Sequence, residues 1–427
     1  MAVFQYDIRR NVNFPLIITL VLLLVLGSTI IFSATSSMDG ARGFVVKHIV
    51  GIAVGLVLMV AFWMFDYRHF TDLVVPLWVF DILLIVAPRI PGLGSTAGGS
   101  ERWLAIAGHQ LFQPSEPAKL VTILLFAALV ARYEGDLTDI WSFLKVLGLS
   151  LIPAGLIMTI PDLGTGLVFV VITLGILWVG GGRLRYIAIL LVIGLACVVG
   201  LVAMEVQYAK TDPNGNGRIL KQYQLSRLVV FVDPEVDPTG AGYNLKQAMI
   251  AVGSGELWGK GLGGGSQSVG NFLPERHTDF IFAVLGEEMG FVGGCILMGL
   301  YLALLITALN ICASSIDLYG SLVAAGIMCM WAFQILENAG MNMGLMPITG
   351  IPLPFMSYGS SFLVTSLACV GVLLSIWRSR NYQSPIKGVD DDETSSQSRR
   401  SSGYRQKARH AKRNTRAHRG SSRSSTL

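Results

Sequence analysis

The sequence predicts an all-α integral membrane protein of about ten transmembrane helices. Hydrophobic residues make up 52% of the 427 positions and charged residues only 14%, whereas a soluble domain has about 25% charged residues. Ten apolar runs approach the roughly 20 residues that a helix needs to cross a bilayer. These runs lie near 14–32, 44–65, 72–88, 116–132, 144–160, 163–180, 184–207, 278–309, 316–340 and 352–377.

The first run, 14–32, is predicted to be a membrane helix. It is long for the apolar region of a signal peptide, and no convincing cleavage site follows it. Short cytoplasmic loops carry an excess of Lys and Arg. If ten helices alternate, both termini are therefore predicted to be cytoplasmic; Arg89 and Arg102 oppose this assignment. The basic residues that support it are Arg9, Arg10, Arg68, Arg132, Arg183 and Arg185.

Three parts of the chain are distinguished by composition. Residues 1–13 form a cytoplasmic N-terminus, 14–380 a membrane domain, and 381–427 a basic cytoplasmic tail that is predicted to be disordered. From Arg378 onward the chain carries 13 Lys/Arg and four Asp/Glu, which suits contact with anionic lipid or a cytoplasmic partner. No nucleic-acid partner is predicted.

The connection 210–276 is predicted to be a large, partly helical extracytoplasmic loop. Two sets of apolar residues in it have the i, i+3, i+4, i+7 spacing of amphipathic helices at a membrane surface. The sets are Leu225/Leu228/Val229/Val232 and Leu245/Ala248/Met249/Val252.

Two sequence features carry no cofactor chemistry. Residues 259–264 match GxGxxG, but no predicted strand or βαβ unit surrounds them, so we expect a flexible loop over a site. The cysteines lie within apolar runs, with neither a disulfide framework nor a metal-binding spacing, and are predicted to be small buried hydrophobes. They are Cys197, Cys295, Cys312, Cys329 and Cys369.

Residues 271–282 place acidic and basic side chains directly before a membrane span. Asp279 is either a helix-start acid favoured by the helix dipole or a general base at the mouth of a cavity. Glu287 and Glu288 lie about 12–13 Å further along the same helix at 1.5 Å per residue. They are too far from Asp279 to form the close carboxylate pair of a retaining glycosidase.

Several other charged or aromatic residues are candidates for binding a substrate at the membrane. Glu116 and Lys119 share a helical face and form either a structural ion pair or a substrate contact. Arg102 and Lys119 suit an anionic headgroup such as a diphosphate. Trp103 suits either an interfacial anchor or a wall of the headgroup cavity.

Three further titratable residues lie near membrane depth or beside Asp279. Asp162 and Glu337 favour helix-packing hydrogen bonds over catalysis, but neither role is excluded. His277 is compatible with a base, and a single His without a Cys partner does not make a metal site.

The motifs of the chain resemble those of the SEDS (shape, elongation, division, sporulation) family over residues 14–380. The motif residues are Phe272-Leu273-Pro274-Glu275-Arg276-His277-Thr278-Asp279-Phe280, Gly286-Glu287-Glu288-Met289-Gly290, Arg102-Trp103-Leu104, Gln113-Pro114-Ser115-Glu116, Pro161-Asp162-Leu163-Gly164-Thr165, Gly350-Ile351-Pro352-Leu353-Pro354-Phe355 and Ser357-Tyr358-Gly359. The stretch Asp233–Gly255 is more similar to elongation-type, RodA-like members than to division-type, FtsW-like members. Ser360 departs from the family's second glycine, and the basic tail is longer than a RodA-like core needs.

The resemblance implies a ten-helix peptidoglycan glycosyltransferase of the bacterial plasma membrane, with its active site on the extracytoplasmic side. Such an enzyme polymerises lipid II for cell elongation and releases undecaprenyl diphosphate. It works with a class B penicillin-binding protein and other elongation-complex membrane proteins. The family's essential acid maps onto Asp279, and Arg102, Lys119 or a divalent cation (Mg²⁺ or Mn²⁺, with unknown ligands) would stabilise the diphosphate. The motifs also make Pro274, Glu275, His277, Ser357 and Tyr358 candidates for substrate binding.

Three alternatives remain open. A division-type polymerase would share the same chemistry. A lipid II flippase also needs a polar cavity with an acid, but it does not need a base at the outer membrane face. A non-enzymatic scaffold would leave Arg102, Glu116 and Asp279 without a purpose.

Overall fold

Within the residues that it describes, a computed structural model places a helix of 13 to 33 residues at each of the ten apolar runs. It describes residues 11–90, 92–97, 100–106, 109–158, 162–211, 227, 229–231, 233, 235, 237–270 and 272–382. The α-helices are α1 (Phe14–Thr35), α2 (Ala41–Met64), α3 (Val74–Val86), α4 (Ser115–Ala131), α5 (Ile140–Met158), α6 (Leu163–Val179), α7 (Leu184–Thr211), α8 (Ala241–Ser254), α9 (Ser266–Val269), α10 (Ile281–Ala313), α11 (Leu318–Asn342) and α12 (Ser360–Tyr382). Short 3-10 helices cover Tyr67–Thr71 and Ala87–Arg89. The mostly helical membrane fold confirms the predicted class.

The ten long helices differ in how well their length matches a bilayer. Seven of those in the described residues are long and apolar enough to cross a membrane. The other three, α3, α4 and α6, have 13, 17 and 17 residues. These lengths lie at or below the lower end of the range for a spanning helix, which is about 17 residues.

Polar side chains mark where several of these helices begin. The Asn13 side chain accepts a hydrogen bond from the Leu16 N–H at 3.1 Å at the start of α1. Asp162 caps α6 through the Thr165 N–H, and Asp317 caps α11 through the Gly320 N–H. Each carboxylate or amide oxygen satisfies a donor that has no partner within its own helix.

Helix α11 lies in the interior of the bundle. It packs against α10, α6 and α4, and α10 also packs against α1 and α8. Within the apolar span of α11, 67% of residues are buried, against 6% in the span of α7. α7 therefore lies at the edge of the bundle, with an apolar surface suited to lipid.

The five cysteines are free thiols, but only some of them match the prediction of small buried hydrophobes. Cys312 and Cys369 are buried, whereas Cys197 and Cys295 are exposed on helix surfaces. Those two positions lie in apolar helices that would cross the membrane. Their exposure in the isolated chain is therefore compatible with contact to lipid.

A small sheet adds to the predicted helical fold between α3 and α4. Strands β1 (Gly94–Ala97), β2 (Ser100–Ile106) and β3 (His109–Phe112) pair antiparallel in the order β1-β2-β3. The strands are only four to seven residues long. Their ladders pair main-chain groups that would otherwise need other partners.

Helix α10 is interrupted at Gly290, whose φ of 64° and ψ of −163° are not helical. The next two N–H groups, of Phe291 and Val292, donate to the carbonyls of Glu256 and Leu257 at 2.8 and 3.1 Å. In a continuous helix they would bond to carbonyls four residues earlier. A loop from outside the helix thus supplies the missing acceptors.

The glycine-rich residues 259–264 belong to this inserted loop, so the prediction of a flexible loop over a site is wrong. The Lys260 and Gly261 N–H groups donate to the Glu287 and Glu288 carbonyls at 3.0 and 2.9 Å. The Lys260 Nζ also donates to Glu287 Oε1 at 2.7 Å. The glycines allow two main chains to approach closely, which explains the motif without a nucleotide.

Only part of the predicted loop 210–276 and tail 381–427 lies within the described residues. The second amphipathic helix is confirmed as α8, and its Leu245 and Ala248 are buried against the bundle. In the first, Val229 is helical, but Leu225, Leu228 and Val232 lie outside the described residues. Of the tail, only 381 and 382 are described.

Two predicted spans begin later than their apolar runs. α10 begins at Ile281 instead of 278, and α12 begins at Ser360 instead of 352. Proline restricts the residue before it to extended conformations, so Pro352 and Pro354 oppose an earlier start of α12. The resulting non-helical segments, 272–280 and 343–359, meet at one end of α11.

Candidate functional site

Asp279 lies in the turn before α10 and is not a helix-start acid of that helix. The N-cap residue is Phe280, which makes no side-chain cap bond, and the first turn contains no acid. Asp279 is partly exposed. The helix-start interpretation of this carboxylate is therefore not supported.

The main chain of Asp279 is held by two asparagines of α11. Asn338 Nδ2 and Asn342 Nδ2 donate to the Asp279 carbonyl at 2.9 and 3.1 Å. Asn338 Nδ2 also donates to the Ile351 carbonyl at 2.7 Å. The same amides join the segments 272–280 and 343–359, which restricts where the Asp279 side chain can lie.

The Asp279 carboxylate lies close to the guanidinium group of Arg227. A Cβ atom on Gly350 would lie 3.1 Å from Asp279 Oδ2 and 3.2 Å from Arg227 Nη1. Arg227 Nη1 donates to the Thr349 carbonyl at 3.1 Å. Gly350 has a φ of +77°, so glycine serves both the backbone and the space between the charges.

Glu337 is a second acid of this cluster. It is 2% exposed, and its Oε1 accepts a hydrogen bond from the Thr349 hydroxyl. Thr349 directly precedes Gly350, which borders both Asp279 Oδ2 and Arg227 Nη1. From the sequence, Glu337 is only one of two acids near membrane depth. No sequence signal links it to Asp279.

Ser357 and Tyr358 contact the Asp279 segment directly. The Ser357 hydroxyl donates to the Thr278 carbonyl at 2.7 Å, and the Tyr358 N–H donates to the His277 carbonyl at 2.8 Å. The His277 ring lies 5.0 Å from the Phe44 ring and 5.3 Å from the Tyr358 ring. Burial in this aromatic setting lowers the pKa of His277.

The residues just before His277 have different roles in the turn. Arg276 is buried, and its guanidinium donates to the Ala34 carbonyl at 2.7 Å and to Ser37 at 2.9 Å at the end of α1. Glu275 is exposed, has a φ of 50°, and accepts a hydrogen bond from the Thr278 hydroxyl. Pro274 is also exposed. Arg276 therefore anchors the turn, while Pro274 and Glu275 stay accessible.

Asp162 reaches the same region through α6. It caps that helix, and a Cβ on Gly164 would lie 2.9 Å from the Thr349 carbonyl. The first turn of α6 therefore packs against the segment that contains Gly350. The structure brings Asp162, His277, Ser357 and Tyr358 to the surroundings of Asp279.

Glu116 and Lys119 form a separate, closed pair on α4. Lys119 Nζ donates to both Glu116 carboxylate oxygens at 2.9 Å, and the two residues are 4% and 2% exposed. Lys119 Nζ also lies 5.5 Å from the Phe362 ring centroid. This geometry favours the structural-pair interpretation, and a substrate contact remains a prediction.

Trp103 and Arg102 are the two candidates in the sheet, and only the Trp103 side chain belongs to the described part of the structure. Trp103 lies in β2 opposite Ser95 and is partly buried. Arg102 lies in the same strand, but its side chain is outside the described part of the chain. Its proposed contact with a diphosphate is therefore untested.

Arg227, Asn338, Asn342 and Thr349 are the site residues that sequence reasoning missed. Asn338 and Asn342 are spaced by one helical turn, which could have signalled a shared polar face. Arg227 lies within the first predicted amphipathic helix of the connection 210–276, and the apolar spacing there does not show what its guanidinium group contacts. No local sequence signal links it to Asp279.

Chemically, the cluster offers the partly exposed Asp279, a neighbouring cation and a main chain held by hydrogen bonds. A carboxylate in such a setting can accept a proton from a bound hydroxyl. Among the described residues, no three or more His, Cys, Asp or Glu side chains form a metal-binding group. The described part thus provides no protein cage for a resident metal.

These features define a polytopic membrane protein with a polar site at one end of its helix bundle. The family model described as "Cell cycle protein" matches residues 13–382. The chain belongs to this family, which comprises FtsW, RodA and SpoVE.

The chain is similar to several known proteins over nearly their full length. Stage V sporulation protein E of Bacillus subtilis is 35% identical over 88% of this chain and 99% of its own. Peptidoglycan glycosyltransferase RodA of Treponema pallidum is 34% identical over 85% and 97%. A solved chain from a peptidoglycan synthase complex coordinating polymerization and crosslinking has a TM-score of 0.68, 30% identity and coverages of 87% and 98%. Other relatives carry the names MrdB and FtsW.

Proposed function

We propose that this protein is a peptidoglycan glycosyltransferase that polymerises lipid II, with Asp279 as the general base. The observation that carries the proposal is the partly exposed Asp279 carboxylate beside Arg227, on a main chain held by two asparagines. Several relatives are named peptidoglycan glycosyltransferases. That shared activity supports an enzyme that acts on lipid II.

In the proposed reaction, one displacement transfers the glycan. The acceptor sugar hydroxyl gives its proton to the Asp279 carboxylate while its oxygen attacks the anomeric carbon of the donor. The bond from that carbon to the diphosphate breaks, and undecaprenyl diphosphate leaves with the electron pair. A single displacement of this kind inverts the anomeric carbon.

Among the cations near Asp279, Arg227 is the one best placed to stabilise the negative charge of the leaving diphosphate. Its Nη1 approaches the same small space beside Gly350 as Asp279 Oδ2. Arginine suits diphosphate because its planar guanidinium group can donate two parallel hydrogen bonds. Lys119 is already bonded to Glu116. Arg227 and Arg102 are therefore the preferred candidates for binding the leaving diphosphate.

A divalent cation is proposed in one form only, as an ion that arrives with the substrate diphosphate. Mg²⁺ typically keeps several waters and uses one or two carboxylates together with substrate phosphates. The described residues lack a cluster of three metal-ligating side chains. No step of the proposed reaction therefore depends on a metal held by the protein alone.

A polymerisation assay tests the function and separates it from the alternatives. Purified protein is incubated with purified lipid II in detergent, where no bilayer separates two compartments. We expect glycan strands that a muramidase digests. A flippase or a scaffold would leave lipid II unpolymerised.

We further propose an elongation role. The stretch from Asp233 to Gly255 carries the similarity to RodA-like members, whereas the names of relatives include RodA, MrdB, FtsW and SpoVE. Expression in rod-shaped cells depleted of their own elongation-type or division-type member distinguishes the roles. Restored rod shape is expected; relief of filamentation alone would favour division.

The proposed partners are a class B penicillin-binding protein and other elongation-complex membrane proteins. A similar solved chain comes from a complex that coordinates polymerization and crosslinking. We expect the cognate transpeptidase to co-purify in mild detergent and to raise turnover. Equal turnover with and without it would count against a required partner.

The proposed location is the bacterial plasma membrane, with both termini cytoplasmic and the Asp279 site extracytoplasmic. This orientation rests on the basic short loops. In intact spheroplasts, Asn214→Cys should react with an impermeant thiol reagent and Ser402→Cys should not, in a background without the native cysteines. The reverse pattern would place the site in the cytoplasm.

A further inference from the structure

Glu337 is an acid within α11 that is almost completely removed from solvent. Its side chain is 2% exposed, and Oε1 accepts a hydrogen bond from the Thr349 hydroxyl. Oε2 is buried without a hydrogen-bond partner among the described residues. Burial of such a group in an apolar helix is costly, so a function for it is the default expectation.

Thr349 connects Glu337 to both charged groups of the site. The Thr349 carbonyl accepts the Arg227 hydrogen bond at 3.1 Å. The next residue, Gly350, borders Asp279 Oδ2 and Arg227 Nη1. One hydroxyl–carboxylate bond therefore holds the short segment against which the acid and the cation are both placed.

The neighbouring residue of α11 holds the other side of this arrangement. Asn338 donates to the Asp279 carbonyl at 2.9 Å and to the Ile351 carbonyl at 2.7 Å. Glu337 and Asn338 thus fix residues 349 and 351 through different groups. Residue 350, which faces the Asp279 carboxylate, lies between these two attachments.

We propose that Glu337 is a positioning residue that acts on Asp279 through Thr349 and through its own charge. The proposal rests on the proposed role of Asp279 as the base. A displacement of about 1 Å at a reacting group can cost about 100-fold in rate, so the Thr349 bond can govern turnover without contact with the substrate. The charged and titratable groups around Asp279 are Arg227 from the 210–276 connection, Glu337 from α11, Asp162 at the start of α6, and Glu275 and His277 from its own turn.

The hydrogen bond is tested by a pair of variants at Thr349. Thr349→Val keeps the branched shape but removes the donor, whereas Thr349→Ser keeps the donor. We expect Thr349→Val to lower kcat for lipid II polymerisation by about 10- to 100-fold with little change in KM, because the base is misplaced. Thr349→Ser should stay within about threefold of the native kcat, because its hydroxyl can still donate to Glu337 and hold the segment in place.

The charge is tested by Glu337→Gln, which keeps an acceptor for Thr349 and removes the negative charge. A neighbouring negative charge favours the protonated form of a carboxyl group. The acid limb of the kcat–pH profile should therefore move to lower pH in Glu337→Gln, by up to about one unit. A residue that only packed the helix would leave this limb unchanged.

Gln334→Leu is the matched control. Gln334 lies one turn earlier on α11, is 1% exposed, and its amide atoms have no hydrogen-bond partner among the described residues. We expect native kcat and a native pH profile. All variants are compared by thermal midpoint in detergent, so that loss of folded protein is measured separately.

The outcomes separate this inference from the proposed function. Native kcat in Thr349→Val together with an unshifted pH profile in Glu337→Gln would overturn the inference, while inactive Asp279→Asn would leave the proposed function standing. An equal loss of kcat in Gln334→Leu would also overturn it, since the effect would then be general to α11. Active Asp279→Asn would overturn the proposed function itself.

Discussion

The Asp279 cluster and the Glu116–Lys119 pair both place charges within an apolar bundle, but they do so in opposite ways. Glu116 and Lys119 are at most 4% exposed, and Lys119 bonds both carboxylate oxygens of its partner. Asp279 is partly exposed, and the bonds described to it hold its main chain. Its carboxylate faces a glycine and an arginine from different segments.

This contrast fits a structural role for the Glu116–Lys119 pair and the catalytic role that we propose for Asp279. A buried ion pair whose members satisfy each other has little left to offer a substrate, and its removal mainly affects stability. A carboxylate on a rigid main chain with an accessible side can accept a proton at a defined place. The two clusters should therefore respond to mutation in different measurements.

The largest expected effect is at Asp279, the proposed base. Asn keeps the size and polarity of Asp279 but cannot act as a base. We expect Asp279→Asn to lower lipid II polymerisation by about 10²–10⁴-fold, the usual contribution of a general base. Asp279→Glu should recover little, because the added methylene moves the carboxylate.

Folding of these Asp279 variants is checked by thermal midpoint and by binding of the partner transpeptidase, both of which should match the native protein. Near-native glycan synthesis by a well-folded Asp279→Asn would move the base elsewhere. Glu116 would then be the next residue to test.

Lys119→Met should instead act on stability. It leaves the buried Glu116 carboxylate without its cation, and breaking a buried pair in this way costs about 3–5 kcal/mol. We expect a large fall in thermal midpoint. The double variant Lys119→Met/Glu116→Gln should recover most of it, because no uncompensated charge remains.

The double variant also sharpens the comparison through its activity. If the pair is structural, turnover should return together with the thermal midpoint. A stable double variant without turnover would make Glu116 or Lys119 a substrate contact, and the contrast with Asp279 would fail.

Gly350→Ala should reduce activity more than its backbone strain alone predicts. The new methyl group would lie 3.1 Å from Asp279 Oδ2 and 3.2 Å from Arg227 Nη1. A side chain in the left-handed region costs about 1–3 kcal/mol. Gly40→Ala is the control, since Gly40 has the same φ of +77° but no heavy atom within 4 Å of a new Cβ. Similar turnover in both variants would show that the space beside Asp279 is not critical.

The smallest expected effect is the pH dependence contributed by His277. Burial lowers the pKa of this side chain below its ordinary value of 6.5. As the pH falls below 6.5, the unfolded chain binds the proton more readily than the folded chain does. The contribution of His277 to stability therefore decreases as the pH falls, until the pKa of the folded state is reached. Well above pH 6.5, His277 is neutral in both states and its contribution is constant.

His277→Phe keeps a ring against Phe44 and Tyr358 but cannot titrate. Between about pH 7.5 and about pH 5.5, which bracket the ordinary histidine pKa, its thermal midpoint should fall less than that of the native protein. The exposed residue His69 provides the control variant His69→Phe. An identical fall in the native protein and His277→Phe would contradict the assignment.

The sequence by itself determined the architecture and pointed to Asp279, the residue that we propose as the base. Apolar runs identify the ten helices because each helix must bury or cover its main chain in lipid with apolar side chains. The crowding of charges in 271–282, directly before a span, marks Asp279 because such charges are costly there. These signals are local, and they need no knowledge of which helices touch.

The tertiary structure alone decided what surrounds Asp279. Arg227, Asn338 and Gly350 come from three segments that pack together only in the folded chain. The same holds for the loop that completes the broken α10. Sequence periodicity relates residues within about one or two turns of a helix, whereas these contacts join residues that are far apart in the chain. Their partners are set by how the bundle packs, and packing also decides that the Glu116–Lys119 pair is closed while Asp279 stays accessible.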